Sequence, residues 1–267
     1  EQESVLATIA GYPKDKYLFF KPDAMPARGV IPVKGAGGES GKILEAWLET
    51  MRSNQVVINE GERCKGVKRA QDGDYLIVET QKKERQEIIT YRARRVVLAL
   101  GERGTPKKIG AKNEGMKITR DGRTEDKVKY ILSNPDEFRG QKIIIVGGGN
   151  SAVEAAVALV ARRKGTEIVF RPPGEINDVT LVVRSNFTND IKFENKLHLY
   201  HCIDEGKVKV YFDTSVKEVR ENEVVLMETS TKKEKATIAN DYVLALVGGG
   251  GPGAFLESVG ITIPKNK

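Results

Sequence analysis

Lys142-Ile143-Ile144-Ile145-Val146-Gly147-Gly148-Gly149-Asn150-Ser151-Ala152-Val153-Glu154-Ala155-Ala156 decides the reading of this chain. Ile143 to Val146 is an apolar, β-branched run of the kind that forms a strand buried on both faces. Three glycines follow, and then an alanine-rich stretch without a breaker until Gly165, where the spacing predicts that the helix ends.

A strand, Gly-x-Gly-x-x-Ala and a helix form the context in which a glycine pattern points to a bound dinucleotide. Gly147 allows the tight turn out of the strand. Gly149, without a Cβ, lets a pyrophosphate approach the backbone, and Ala152 lets the helix lie close to the sheet. The first amides of the helix, with its positive dipole end, supply donors for the phosphates. The competing interpretation is a structural turn whose glycines serve packing alone.

The 267 residues suffice for one large or two modest domains. A hydrophobic share of 39% and a charged share of 30% describe a globular chain, and the apolar runs are strand-sized, which predicts no membrane span. The net charge of +7 is dispersed among acids, as in Lys82-Lys83-Glu84-Arg85 and Lys232-Lys233-Glu234-Lys235, and no basic stripe with interleaved aromatics argues for nucleic acid. The two cysteines, Cys64 and Cys202, form no CxxC and no zinc spacing, so free thiols in the cytoplasm are expected. His198 and His201, beside Cys202, read as part of a helix end rather than a metal site.

Along the chain, a helix is predicted over Ser40 to Asn54, with Ile43, Leu44, Trp47, Leu48 and Met51 on one face. Strands are predicted at Val56–Ile58, Arg63–Arg69, Tyr75–Thr80, Glu87–Tyr91 and Arg95–Leu100, the last ending at Gly101. Residues 111 to 126 read as a linker, and Lys127–Leu132 as a short helix stopped by Asn134-Pro135. After the glycine turn come an insertion between Thr166 and Asp178, a strand at Val179–Arg184 and a helix at Lys192–Asp204. A meander is predicted from Val208–Phe212, Ser215–Arg220 and Glu223–Thr229, followed by a buried strand from Tyr242 to Val247. The fold class expected is α/β: a Rossmann-like domain with a parallel sheet plus a β-meander, joined to a second domain.

Three segments, in this order, carry a family resemblance: Val97-Leu98-Ala99-Leu100-Gly101 before a Gly-x-Pro turn, the turn Gly147 to Ala152, and Asp241-Tyr-Val-Leu-Ala-Leu-Val-Gly248 followed by Pro252, Phe255-Leu256 and Gly260-Ile261. Together they resemble the pyridine nucleotide–disulfide oxidoreductase superfamily, and within it the thioredoxin-reductase-like flavoproteins that bind two dinucleotides. The resemblance implies residues 1–110 as part of an FAD-type domain, 111–247 as an NAD(P)H-binding domain and 248–267 as a return segment toward the first. It also implies a flavin oxidoreductase that passes hydride from NADPH to FAD and on to an unidentified acceptor. The chain departs from the family in lacking an opening strand-Gly-x-Gly-x-x-Gly for FAD, a closing Gly-Asp segment and a redox CxxC. It therefore reads as an internal piece, with FAD expected in the full-length parent and held only weakly by this chain alone. The alternative is a non-catalytic NAD(P)-binding regulatory or interaction module. Absorbance near 450 nm, where bound flavins absorb, separates the two.

The candidate cofactor-binding residues are Gly147, Gly148, Gly149, Asn150, Ser151 and Ala152 of the turn. Glu154 joins them, either near the nicotinamide, as the resemblance implies, or as a carboxylate favoured by the helix dipole. Arg184 and Ser185 stand at the end of the second strand, where an acid would hold a ribose 2′-OH and an arginine a 2′-phosphate. With no acid there and Lys192 nearby, NADP is favoured over NAD. The other interpretation is a solvated arginine at a strand end. Arg171 is read either as a cover for the adenosine or as plain loop. Gly101 and Gly248, which close the first and third segments, complete the set. No catalytic side chain is assigned, and a homodimer is compatible with the reading.

Overall fold

The computed structural model describes residues 4–12, 17–19, 37–101, 106–164 and 167–262. The expected stop at Gly165 and the Gly104-Thr105 part of the Gly-x-Pro turn lie outside them. The chain divides into two compact units, Glu1–Gly104 with Gly250–Lys267, and Thr105–Gly249.

The first unit contains helix α1 (Ala7–Ala10), the antiparallel pair β1 (Tyr17–Phe19) and β2 (Gly37–Glu39), and helix α2 (Ser40–Ser53). The face of α2 predicted to be apolar is the covered one, with Ile43 buried and Lys42, Glu45 and Glu49 exposed. Strands β3 (Glu62–Arg69), β4 (Leu76–Lys82) and β5 (Ile88–Ala93) form an antiparallel sheet in that order. Two expected strands do not form. Val56–Ile58 and Arg95–Leu100 have strand composition but pair with no strand among the described residues, and Val57 and Val97 are each 89% exposed. A strand exists through its ladder, and β-branched composition does not supply a partner.

The second unit opens with β6 (Lys117–Arg120) and β7 (Arg123–Asp126), paired antiparallel where a linker was expected. Asp121 and Gly122 join them, both at positive φ (47° and 73°), which is the Asp-Gly signature of a type I′ hairpin turn. The expected helix at Lys127–Leu132 is instead β8 (Val128–Lys129), parallel to β17 (Tyr242–Ala245). Pairing along β17 and burial of Val128 outweigh the local pattern. Asn134 accepts a hydrogen bond from Asp136 N–H and starts a single 3-10 turn rather than stopping a helix.

A five-stranded parallel sheet in the order β13-β12-β9-β17-β8 is the frame of this unit, with β9 (Lys142–Val146) at its centre, β12 at Asp178–Val182 and β13 at Val208–Tyr211. The apolar run in β9 follows from burial on both faces. Ile143 and Ile145 join a core with helices α3 (Asn150–Val160) and α4 (Phe193–Asp204), while Ile144 and Val146 join a second core with the meander β14 (Thr214–Val219), β15 (Glu223–Glu228) and β16 (Glu234–Ala239). β13 belongs to the parallel sheet and not to the meander, whose third strand is the unanticipated β16. A last helix, α5 (Gly253–Ser258), belongs to the first unit.

α3 ends at Val160, short of the position expected from its first breaker. Residues β10 (Ala161–Lys164) pair antiparallel with β11 (Glu167–Phe170), which lies inside the expected insertion. Arg171 takes the last carbonyls of α3: its N–H donates to Val160 O (2.8 Å) and its Nε to Ala158 O (3.0 Å). Its buried guanidinium also pairs with Asp136 at 2.5 Å and holds that carboxyl below the usual carboxylate range. A cation is favoured at a helix C-terminus, and this one stands at the far end of α3 from the glycine turn.

Lys127 is fully buried and donates from Nζ to Glu221 O (2.5 Å) and Asn240 O (2.9 Å). Burial, with Arg120 acting in the same direction, lowers its pKa to about 8. The folded chain thus binds fewer protons than the unfolded chain between about pH 8 and 10.5, and this group adds stability as pH rises through that window. Burial of Tyr242 (raised to about 12) and Cys202 (raised to about 11) acts oppositely at high pH. The difference between wild type and Lys127→Met isolates the lysine. Urea unfolding at several pH values should show that difference moving in favour of the wild type by about 2–3 kcal/mol across the window. A flat difference would mean that Lys127 titrates as it does in water.

Candidate functional site

The glycine turn leaves the carboxyl end of β9, beside the carboxyl end of β17. The chain runs from β9 outward through β12 to β13 on one side, while β17 lies on the other. The turn therefore stands at the point where strand order reverses, the place where open α/β sheets bind ligands.

Each glycine has a different neighbour. Gly147 is buried at φ +147°; its N–H donates to Val182 O (3.0 Å), and a Cβ there would overlap Leu246 O and stand 3.1 Å from Ala152 Cβ. A Cβ on Gly148 would meet Val183 Cγ1 at 3.0 Å and Asn186 O at 3.2 Å. A Cβ on Gly149 would find only Thr188 Oγ1, at 3.7 Å, so this residue alone of the three is open to an incoming group. Gly149 caps α3 in an extended conformation, and its carbonyl accepts from Ala152 N–H (3.1 Å) and Val153 N–H (3.2 Å). The amides of Asn150 and Ser151 precede the first intrahelical bond and have no helical acceptor, which leaves them suited to an anion. Ala152 is fully buried, as close helix-sheet packing requires, and Ser151 is exposed.

The segment after β12 wraps this turn. Thr188 N–H donates to Gly148 O (2.9 Å), and Asn150 Nδ2 donates to Asp190 O (2.8 Å). Asn150 Oδ1 accepts from Lys192 N–H (2.9 Å) and from Asn195 Nδ2 (3.1 Å). The buried Asn195 also donates to Glu154 Oε1 at 3.0 Å, so that carboxylate is tied to α4. Arg184 and Ser185 are exposed, just beyond the carboxyl end of β12 and next in the sheet to β9. Gly248 lies past β17 at φ +84°, and its carbonyl accepts from Lys107 N–H (3.1 Å). The structure thus gathers Gly147 to Ala152, Glu154, Arg184, Ser185, Lys192 and Gly248 at one end of one sheet. Gly101, at φ +68°, belongs to the other unit. Thr188 and Asn195, which fix the turn, were not anticipated; a lone threonine in a loop and one asparagine in a helix carry no pattern of their own.

Residues 38–267 match the family model described as pyridine nucleotide-disulphide oxidoreductase. Among curated proteins, the chain is 31% identical over 144 residues to a ferredoxin–NADP reductase of Ignicoccus hospitalis, covering 52% of this chain and 42% of that protein. It is 27% identical over 190 residues to the bacilliredoxin reductase Bdr of Bacillus subtilis, covering 71% and 49%. The solved bacillithiol disulfide reductase Bdr from Bacillus cereus shares the fold, with a TM-score of 0.79 at 22% identity over 99% of this chain and 74% of that one. The chain spans about half the length of these curated relatives.

Proposed function

Because this chain belongs to the pyridine nucleotide-disulphide oxidoreductase family, we propose that its Thr105–Gly249 unit is the NAD(P)H-binding part of an FAD-dependent oxidoreductase that passes hydride from NADPH to flavin and on to an acceptor. The observation that carries this reading is the glycine turn at the strand-order reversal, closed by packing at Gly147 and Gly148 and open at Gly149. In this reading the amides of Gly149, Asn150 and Ser151 hold the pyrophosphate. Asn150 and Asn195 keep those amides in place by tying α3 to the segment that follows β12. Arg184 and Ser185 take the 2′-phosphate, with Lys192 adding positive charge. Glu154, held by Asn195, and Gly248 border the same end of the sheet. The flavin, when bound, supplies the two-electron chemistry, and the residues of this chain bind and orient. Gly101 is assigned to the flavin side. The two cysteines form no CxxC, so disulfide exchange through such a pair is not assigned to these residues.

The preference for NADPH rests on Arg184. A guanidinium–phosphate contact is charge-assisted, of order 1.5–3 kcal/mol. Calorimetric titration of Arg184→Ala should therefore show NADPH weakened about tenfold or more, with NADH nearly unchanged. Equal losses for both cofactors would make Arg184 structural. No loss for either would move the discrimination to another residue.

A further inference from the structure

The carboxyl end of β8 carries a charged cluster that the proposed function does not use. β8 runs parallel to β17 with Lys129 level with Leu244, so Tyr130 stands at the same end of the sheet as the glycine turn. The Tyr130 hydroxyl donates to Glu114 Oε1 (2.7 Å) and accepts from Lys108 Nζ (2.8 Å), which also lies 4.5 Å from the centre of its ring. Glu114 accepts in addition from the amides of Ile109 (2.8 Å) and Gly110 (2.9 Å), so it fixes the loop that carries Lys108. The start of that loop is tied to the exit of β17: Pro106 bridges to Gly249, and Lys107 N–H donates to Gly248 O (3.1 Å). Lys108 is exposed, and Tyr130 takes one of the three donors of its ammonium. Gly248 is exposed too, and a Cβ on it would meet no atom within 4 Å, so the space over it is open.

We propose that Lys108 positions the nicotinamide end of the cofactor and favours its reduced form over its oxidised form. This rests on the dinucleotide binding proposed above. There Arg184, beyond β12, takes the adenosine side, and the turn after β9 takes the pyrophosphate. The sheet order β12-β9-β17-β8 then directs the nicotinamide riboside across β17 toward β8. Neighbouring strands lie about 4.8 Å apart, so β8 is about 10 Å from β9, within reach of a riboside and its ring. The open surface of Gly248 lies on that path. The remaining N–H groups of Lys108 can donate to the carboxamide oxygen. The oxidised ring carries a positive charge and the reduced ring none, so an ammonium held beside it opposes NADP+ and spares NADPH. Glu114 acts in the other direction from the far side of the Tyr130 hydroxyl, which weakens this repulsion without removing it.

Calorimetric titration of wild type, Lys108→Met and Lys108→Arg with NADPH, NADP+ and 2′-phospho-ADP-ribose, which lacks the nicotinamide, tests this. The wild type should bind NADPH more tightly than NADP+. Lys108→Met should lower the ratio of the two affinities about fivefold, the effect of a unit charge at about 4 Å in water. It should keep its melting temperature and bind 2′-phospho-ADP-ribose as the wild type does. Lys108→Arg retains the charge and should retain most of the ratio; an arginine variant as indifferent as the methionine one would show that charge is not the cause. An unchanged ratio in Lys108→Met overturns the proposal and leaves the dinucleotide site standing. Equal loss for all three ligands also overturns it, since Lys108 would then serve the phosphates or the fold. A wild type that binds none of the three removes the dinucleotide site, and the proposal with it.

Discussion

Gly147→Ala is expected to lower the melting temperature of the chain by about 10 °C and to remove NADPH binding with it. Gly147 sits at φ +147°, where an L side chain is strained at a cost of order 1–3 kcal/mol. The added methyl would also overlap Leu246 O, and Ala152 Cβ closes the other side at 3.1 Å. Neither neighbour can yield cheaply. Leu246 N–H donates to Val146 O at 2.8 Å, so its carbonyl is fixed in the exit of β17, and Ala152 is fully buried between α3 and the sheet. Relief requires the carboxyl ends of β9 and β17 to part, an overpacking cost of about 1–3 kcal/mol more. A total near 3–5 kcal/mol, at about 2–4 °C for each, gives the stated shift. Thermal unfolding followed by circular dichroism measures it. A variant melting within about 2 °C of wild type would mean that the turn and β17 do not meet as described.

What the sequence shows and what it hides divide along the source of each element's stability. The turn at Gly147 was legible because its determinants are local: a β-branched run, residues without side chains and an alanine helix in immediate succession. The β9 and β17 strands were legible because burial on both faces leaves continuous apolar runs. The strand β8 lies where the local pattern favours a helix, because two residues of parallel pairing with β17, 115 positions away at Val128–Val243, have no local signature. The end of α3 was misplaced for a similar reason, since Arg171 and its partner Asp136 lie 11 and 24 residues from Val160 on opposite sides. Arg95–Leu100 fails in the other direction, with strand composition and no ladder among the described residues. The β6–β7 hairpin carries one local mark, the strong turn signal Asp121-Gly122, but its largely polar flanks show no strand alternation. At the site, the residues lining the turn were read from the pattern. Thr188 and Asn195, which brace it from 40 residues further on, become visible only when the segment after β12 is seen folded against Gly148 and Asn150.

Gly149→Val separates the cradle from the fold, and the expected result is a chain that melts within a few degrees of wild type yet binds NADPH at least about 100-fold more weakly. Gly149 holds φ −103° and ψ −178°, extended backbone that any residue adopts. The nearest atom to an added Cβ is Thr188 Oγ1 at 3.7 Å, an ordinary contact, and the extended backbone accepts a β-branched residue, so the first added carbon collides with nothing in the free protein. What it fills is the approach to the amides of Asn150 and Ser151. Hydrogen bonds from such amides to a phosphate involve a charged acceptor and contribute about 1.5–3 kcal/mol each. Losing two of them amounts to about 3–6 kcal/mol, or at least two decades in affinity. NADH should lose the same factor, because the pyrophosphate is common to both nucleotides; this distinguishes the variant from Arg184→Ala, whose loss falls on NADPH alone. Titration of both cofactors against both variants, with melting temperatures recorded in parallel, yields the full pattern. A folded Gly149→Val with unchanged affinity for either nucleotide would take the phosphates away from this turn and leave its glycines a purely structural role, as packing already dictates for Gly147 and Gly148.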